Sequence, residues 1–98
     1  MSHTIEITEA GDEIPSEVVL KDQSHSLAVS VDTRNKDVYL SFTSRESLRE
    51  FAKQMLHESY YGTGDMELQP LGTEEGWLVV NGVRLAENSS RVFVRYPR

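Results

Sequence analysis

Thr43 to Gly62 reads TSRESLREFAKQMLHESYYG, and the fold turns on what this stretch does. Leu48, Phe51, Ala52, Met55 and Leu56 recur at three- and four-residue spacing, which sets five apolar side chains on one stripe of an α-helix. Tyr60 extends the stripe by one more turn. Thr43 and Glu46 have the spacing of a capping box, and Gly62 suits the left-handed position that ends a helix. The stripe therefore predicts a helix over about 44–61, with one face that must be covered. Along its polar side Arg45, Arg49, Lys53 and His57 form a basic ridge, with Glu46 and Glu50 in reach of Arg49 and Lys53. That ridge suits ion pairs at a solvated face, or contact with an acidic partner.

Working back towards the N-terminus, Val38 to Phe42 and Ser26 to Asp32 both alternate apolar and polar residues and read as a β-hairpin about a polar turn at 33–36. Leu27, Val29, Val31, Val38, Leu40 and Phe42 share its inner face. Thr4 to Glu9 reads as a short strand. Glu17 to Leu20 reads as an edge strand or an extended link. Working forward, residues 63–76 are rich in turn formers. Trp77 to Val80 and Val83 to Ala86 flank Asn81-Gly82, the pattern of a type I′ hairpin. Arg91 to Tyr96 reads as the last strand. The expected fold is α+β: a single domain, 1–98, with one antiparallel sheet of five to six strands and the helix packed on one face.

Ninety-eight residues support one core. The absence of cysteine excludes disulfides and thiolate metal sites. No apolar run reaches a membrane span, and residues 1–15 lack the basic-then-apolar order of a secretory leader, so a cytoplasmic protein is expected. The net charge of −6 is unevenly spread. Acids dominate residues 1–25 and 63–81, charges balance over 26–62, and Arg84, Arg91, Arg95 and Arg98 make the last segment basic. Such a field opposes nucleic-acid backbone and anionic lipid.

No chemistry-bearing motif is complete. His3, His25 and His57 are isolated from one another, and His57-Glu58 lacks the second histidine of a zinc-protease helix. Gly62-Thr63-Gly64-Asp65 follows a helix rather than a strand and has no lysine, unlike a phosphate loop. Ser44 sits at a strand–helix junction without the flanking glycines of a nucleophile elbow. Neither a catalytic set, a metal site nor a cofactor site is expected.

Two surface features remain. Arg91, Phe93 and Arg95 share the outer side of the last strand, where an aromatic between arginines suits protein contact or, less well given the charge, base stacking. Asp65, Glu67, Glu74 and Glu75 make the following loop acidic, as a basic partner would require. The size, acidity and element order are similar to those of many small bacterial proteins, some toxin-immunity proteins among them, although no motif carries that likeness. The expected function is a non-enzymatic protein-binding module, such as an immunity-like inhibitor of a basic partner. The alternatives are a homodimer that covers its open sheet face, and a small-molecule-binding regulator with a pocket between helix and sheet at Trp77, Tyr60 or Tyr61.

Overall fold

The hairpin forms as its alternation requires. In the computed structural model, which describes residues 1–98, β1 (Leu27–Val31) pairs antiparallel with β2 (Val38–Phe42), Val29 opposite Leu40. The turn closes through side chains that bond their own backbone: Asp32 Oδ1 accepts from Arg34 N and Asn35 Oδ1 from Asp37 N. Leu27 and Val29 are buried, whereas Val31, Val38 and Leu40 run past the core into solvent.

The main helix, Arg45–Tyr61, starts one residue later than the Thr43 box predicts. Ser44 is the N-cap, and a reciprocal box joins Ser44 Oγ to Ser47 N at 3.1 Å and Ser47 Oγ to Ser44 N at 3.3 Å. Thr43 is spent elsewhere: its hydroxyl accepts from Ser26 N and donates to the Ser24 carbonyl, binding the end of β2 to the start of β1. His25 Nδ1 reaches Ser44 Oγ at 2.6 Å, so this histidine belongs to the helix start. Gly62 has φ −77°, not the left-handed value expected of it. Glycine is needed there because a Cβ would run into the Tyr96 hydroxyl and the Glu58 carboxylate, which are bonded to each other.

The single sheet of five to six strands does not form. Three two-stranded ladders stand in its place: β1–β2, β3 (Asp65–Leu68) with β6 (Val92–Arg95), and the short β4 (Gly72–Thr73) with β5 (Gly76–Trp77). Asn81 and Gly82 take the positive φ of the predicted turn, and Val80 and Val83 exchange both backbone bonds. The arms then part. Trp77 pairs back to Gly72, while Leu85 bridges in parallel to Leu27. Two further expected strands are absent: Thr4–Glu9 has no β partner, and Glu17–Lys21 is a one-turn helix, α1, so the main helix is α2.

The cause of the parting is Arg84. The residue is 4 % exposed, and its side chain enters the molecule rather than facing water as a strand residue would. Nε donates to the Trp77 carbonyl at 2.9 Å. Nη1 donates to the carbonyls of Val19, Asp22 and His25, and Nη2 to that of Leu20. Val19 and Leu20 lie at the C-terminal end of α1, whose last carbonyls have no partner within the helix, and Asp22 and His25 lie in the turn after it; a cation is also favoured there by the helix dipole. Burial pushes the guanidinium below its usual pKa, and Asp22 opposes that shift.

Around this anchor lies the core: Leu27, Val29, Met66, Leu68, Val83 and Leu85, with Phe42, Phe51, Met55, Val92 and Val94 packed on it. Residues 84–90 run along β1, where Leu27 N donates to Arg84 O, Ala86 N to Leu27 O and Ser90 N to Val29 O. Residues 84–90 are thus joined to the first hairpin through the middle of the fold. No helix is long and apolar enough to cross a membrane.

Replacing Arg84 with leucine strands the carbonyls of Val19, Leu20, His25 and Trp77, and a loss of about 3 kcal/mol is expected in urea unfolding. Asp22 provides a pH test. Hydrogen bonds from Ser24, side chain first and backbone second, hold its carboxyl below the ordinary carboxylate range. A depressed pKa contributes stability that is complete above the unfolded value and is lost as pH falls through the folded one. Asp22→Asn is therefore expected to flatten the acid limb of stability below about pH 4 and to leave its slope near neutrality unchanged.

Candidate functional site

Helix α2 does not lie as its apolar stripe predicts. Ser47, Glu50 and Gln54 are buried, and Glu58 follows them half-buried on the same side. Phe51 and Met55 are half-buried against the core. Leu48 is 48 % exposed and Leu56 39 %, Ala52 is open beside them, and Tyr60 stands 71 % exposed. The helix is rotated so that one edge of the stripe touches the core and the other edge faces solvent.

The polar side goes inward because it has specific neighbours there. Gln54 Nε2 donates to Met66 Sδ at 3.7 Å and to Glu58 Oε1 at 3.4 Å. Glu58 receives the Tyr96 hydroxyl, which raises the tyrosine's pKa. Gly82 is packed against the Gln54 side chain and Ile14, so the Asn81-Gly82 turn sits directly over this face. Glu50, 5 % exposed, pairs with Lys53 at 3.5 Å through Oε1, while its buried Oε2 has no partner. Phe42 and Phe51, with ring centroids 5.6 Å apart, hold the other edge of the helix to the hairpin.

The exposed stripe Leu48, Ala52, Leu56, Tyr60 is bordered at its C-terminal half by the N-terminal arm. Ile5, Ile7, Leu56, Tyr60 and Tyr61 line an open apolar recess of about 280 Å³. His57 Nε2 meets the Glu9 carbonyl at 3.0 Å and its ring packs on Tyr61 at 5.3 Å, which hold the arm in place. Glu6, Asp12 and Glu13 gather with Lys53 about the next recess along. The basic ridge is thereby divided: Lys53 and His57 lie beside the arm, Arg49 pairs with Glu46 at 3.2 Å, and Arg45 has no carboxylate in reach.

The predicted surface residues are only partly brought together. Asp65 stands opposite Arg95 and Glu67 opposite Phe93 across the β3–β6 ladder. Arg91 pairs with Glu67 at 3.3 Å, and both guanidinium groups lie over the Phe93 ring, at 5.4 and 6.0 Å from its centroid. The result is a charge-balanced face around a half-exposed phenylalanine, not a basic one. Glu74 and Glu75 sit apart, at the tip between β4 and β5, where Gln23 Nε2 holds the Glu75 carbonyl. The acidic loop is therefore split between two places.

Trp77 belongs to β5 and covers Gly72, and Tyr60 and Tyr61 line the outer recess, so none of the three makes a pocket between helix and sheet. No cluster of His, Asp or Glu has the arrangement of a metal site. The outward face of α2 escaped the sequence reading because periodicity marks an apolar stripe but not which neighbour it meets. No family model matches the chain, and no curated protein or solved structure is significantly similar to it.

The rotation of α2 has a direct consequence for stability. Leu48→Gln and Leu56→Gln are each expected to change the unfolding free energy by no more than about 0.5 kcal/mol, as surface substitutions do, whereas Phe51→Ala is expected to cost about 3 kcal/mol. Parallel urea titrations of the three variants check this.

Proposed function

We propose that this chain is a non-enzymatic protein-binding module that works through the outward face of α2. The observation that carries the reading is the orientation of that helix: it turns Leu48, Ala52, Leu56 and Tyr60 to solvent while it buries Glu50 and Gln54. Exposed apolar residues scattered singly need no explanation, but a row along one helix, continued by Ile5 and Ile7, is what an interface supplies. Val31, Val38 and Leu40 are further exposed apolar residues, on the hairpin. Helix-face recognition uses anchors at this spacing.

A second reading, an immunity-like inhibitor of a basic partner, draws on a different observation. Glu6, Asp12 and Glu13 converge on one side of the molecule, where they would steer a basic surface into contact. In that reading the N-terminal arm, rather than the loop at Asp65 to Glu75, meets the partner first.

Site-specific photo-cross-linking in the native cell tests the main reading. A benzophenone side chain at Leu56 is expected to capture a polypeptide, and the same group at Glu75 is not. Absence of any adduct from position 56 would dispose of the proposal. In the inhibitor reading, the Leu56 adduct is a basic protein whose association rate falls steeply with added salt.

A further inference from the structure

We infer that the occupant of the outward face of α2 is a second copy of the same chain, packed helix against helix in antiparallel fashion about a two-fold axis. The inference rests on the protein-binding reading above and names its partner. The first argument is the self-complementarity of the stripe. Leu48, Ala52, Leu56 and Tyr60 are evenly spaced, so an antiparallel copy centred between Ala52 and Leu56 sets Leu48 of one chain against Tyr60 of the other, and Ala52 against Leu56. Alanine at the centre lets the two backbones approach, and the leucine facing it fills the space. Leu48 and Tyr60 lie about 18 Å apart along the axis, three turns of contact on each copy.

The recess supplies the second argument. Ile5, Ile7, Leu56, Tyr60 and Tyr61 form an open apolar hollow at the C-terminal end of the stripe. Leu48, the exposed leucine at the N-terminal end, is the residue that the two-fold axis brings over it. The axis makes this insertion twice. A two-fold contact of this kind closes on itself and leaves no unsatisfied copy of the surface.

Charge is the third argument. In an antiparallel pair the same flank of each helix meets its counterpart. Beside the N-terminal half of α2 that flank carries Arg45 and Arg49; further along it carries Lys53 and the arm, with Glu6 in the recess beside Lys53 and Glu9 held at His57. Arg45, Glu6 and Glu9 take part in no ion pair within one chain. The two-fold axis sets the arginines of each copy towards the glutamates of the other, at both ends of the contact.

Sedimentation velocity on the full chain tests the inference. A dimer is expected at about 50 µM, and Leu48→Asp is expected to weaken it about 30-fold, the effect of losing a buried anchor. Leu48 is half in solvent, so its variant is expected to keep the helical circular dichroism of the parent. Arg45→Glu is the sharper probe. An acid at the first turn favours the helix itself, so this variant should match or exceed the parent in stability while its dimer weakens. Adding Glu6→Lys and Glu9→Lys to it should restore the dimer by exchanging the two signs. A parent chain that is monomeric at that concentration, or a dimer indifferent to Leu48→Asp, overturns the inference. The Leu56 cross-link separates the two proposals. An adduct with a different polypeptide and no dimer overturns self-pairing and leaves the binding reading intact; a monomer with no adduct removes both.

Discussion

The guanidinium of Arg84 holds together the end of α1, the turn after it and the strand at Trp77, with Gln23 as its only helper between the last two. Ladders of two strands are marginal when isolated, and this molecule has three of them. One buried cation gathers the end of α1, the turn at Asp22 to His25 and the carbonyl of Trp77. With its side chain fixed there, the backbone at Arg84 and Leu85 is delivered to β1, and Val83 and Leu85 enter the core. The fold is organised by a polar fixture placed among apolar groups, and the ordinary continuity of a sheet is replaced by it. Such a fixture is effective only because every donor finds an acceptor.

That arrangement explains what could and could not be read from the residues. The hairpin at Leu27 to Phe42, the main helix, the turn at Asn81-Gly82 and the last strand were all legible, because each is a local pattern whose physical cause lies within a few residues. The general α+β character followed from them. The sheet was not legible. Val83-Arg84-Leu85-Ala86 looks like a strand with an outward arginine, and alternation cannot show that the arginine has carbonyls to cap sixty residues earlier. Glu17 to Leu20 was misread for the matching reason: its short helix is stable because Arg84 satisfies its end.

The helix carries the same lesson at the site. Its apolar stripe was visible, but Ser47, Glu50 and Gln54 also recur on one side, and of these only Glu50 was weighed, as an ion-pair partner of Lys53 at a solvated face. Burial of Gln54 beside Met66 and Gly82, and of Glu58 beneath Tyr96, depends on residues that arrive from the far end of the chain. Of the candidate binding residues, Asp65, Glu67, Arg91, Phe93 and Arg95 do share one face, because β3 and β6 pair; Glu74 and Glu75 do not. Their mutual neutralisation could not be seen before that pairing was known, and it turns a supposed basic patch into a balanced one.

The pairing of β3 with β6 also bears on how the polypeptide acquires its shape during synthesis. Met66 and Leu68 have no strand beside them until Val92 and Val94 have been made, and Leu27 waits equally long for Leu85. Contacts of such wide sequence separation close slowly and late. A growing chain on the ribosome can therefore form its first hairpin and its helix, yet must keep its greasy interior open until residues 92–95 have emerged. During that interval the cell's holding chaperones have a natural target in the unclosed hairpin.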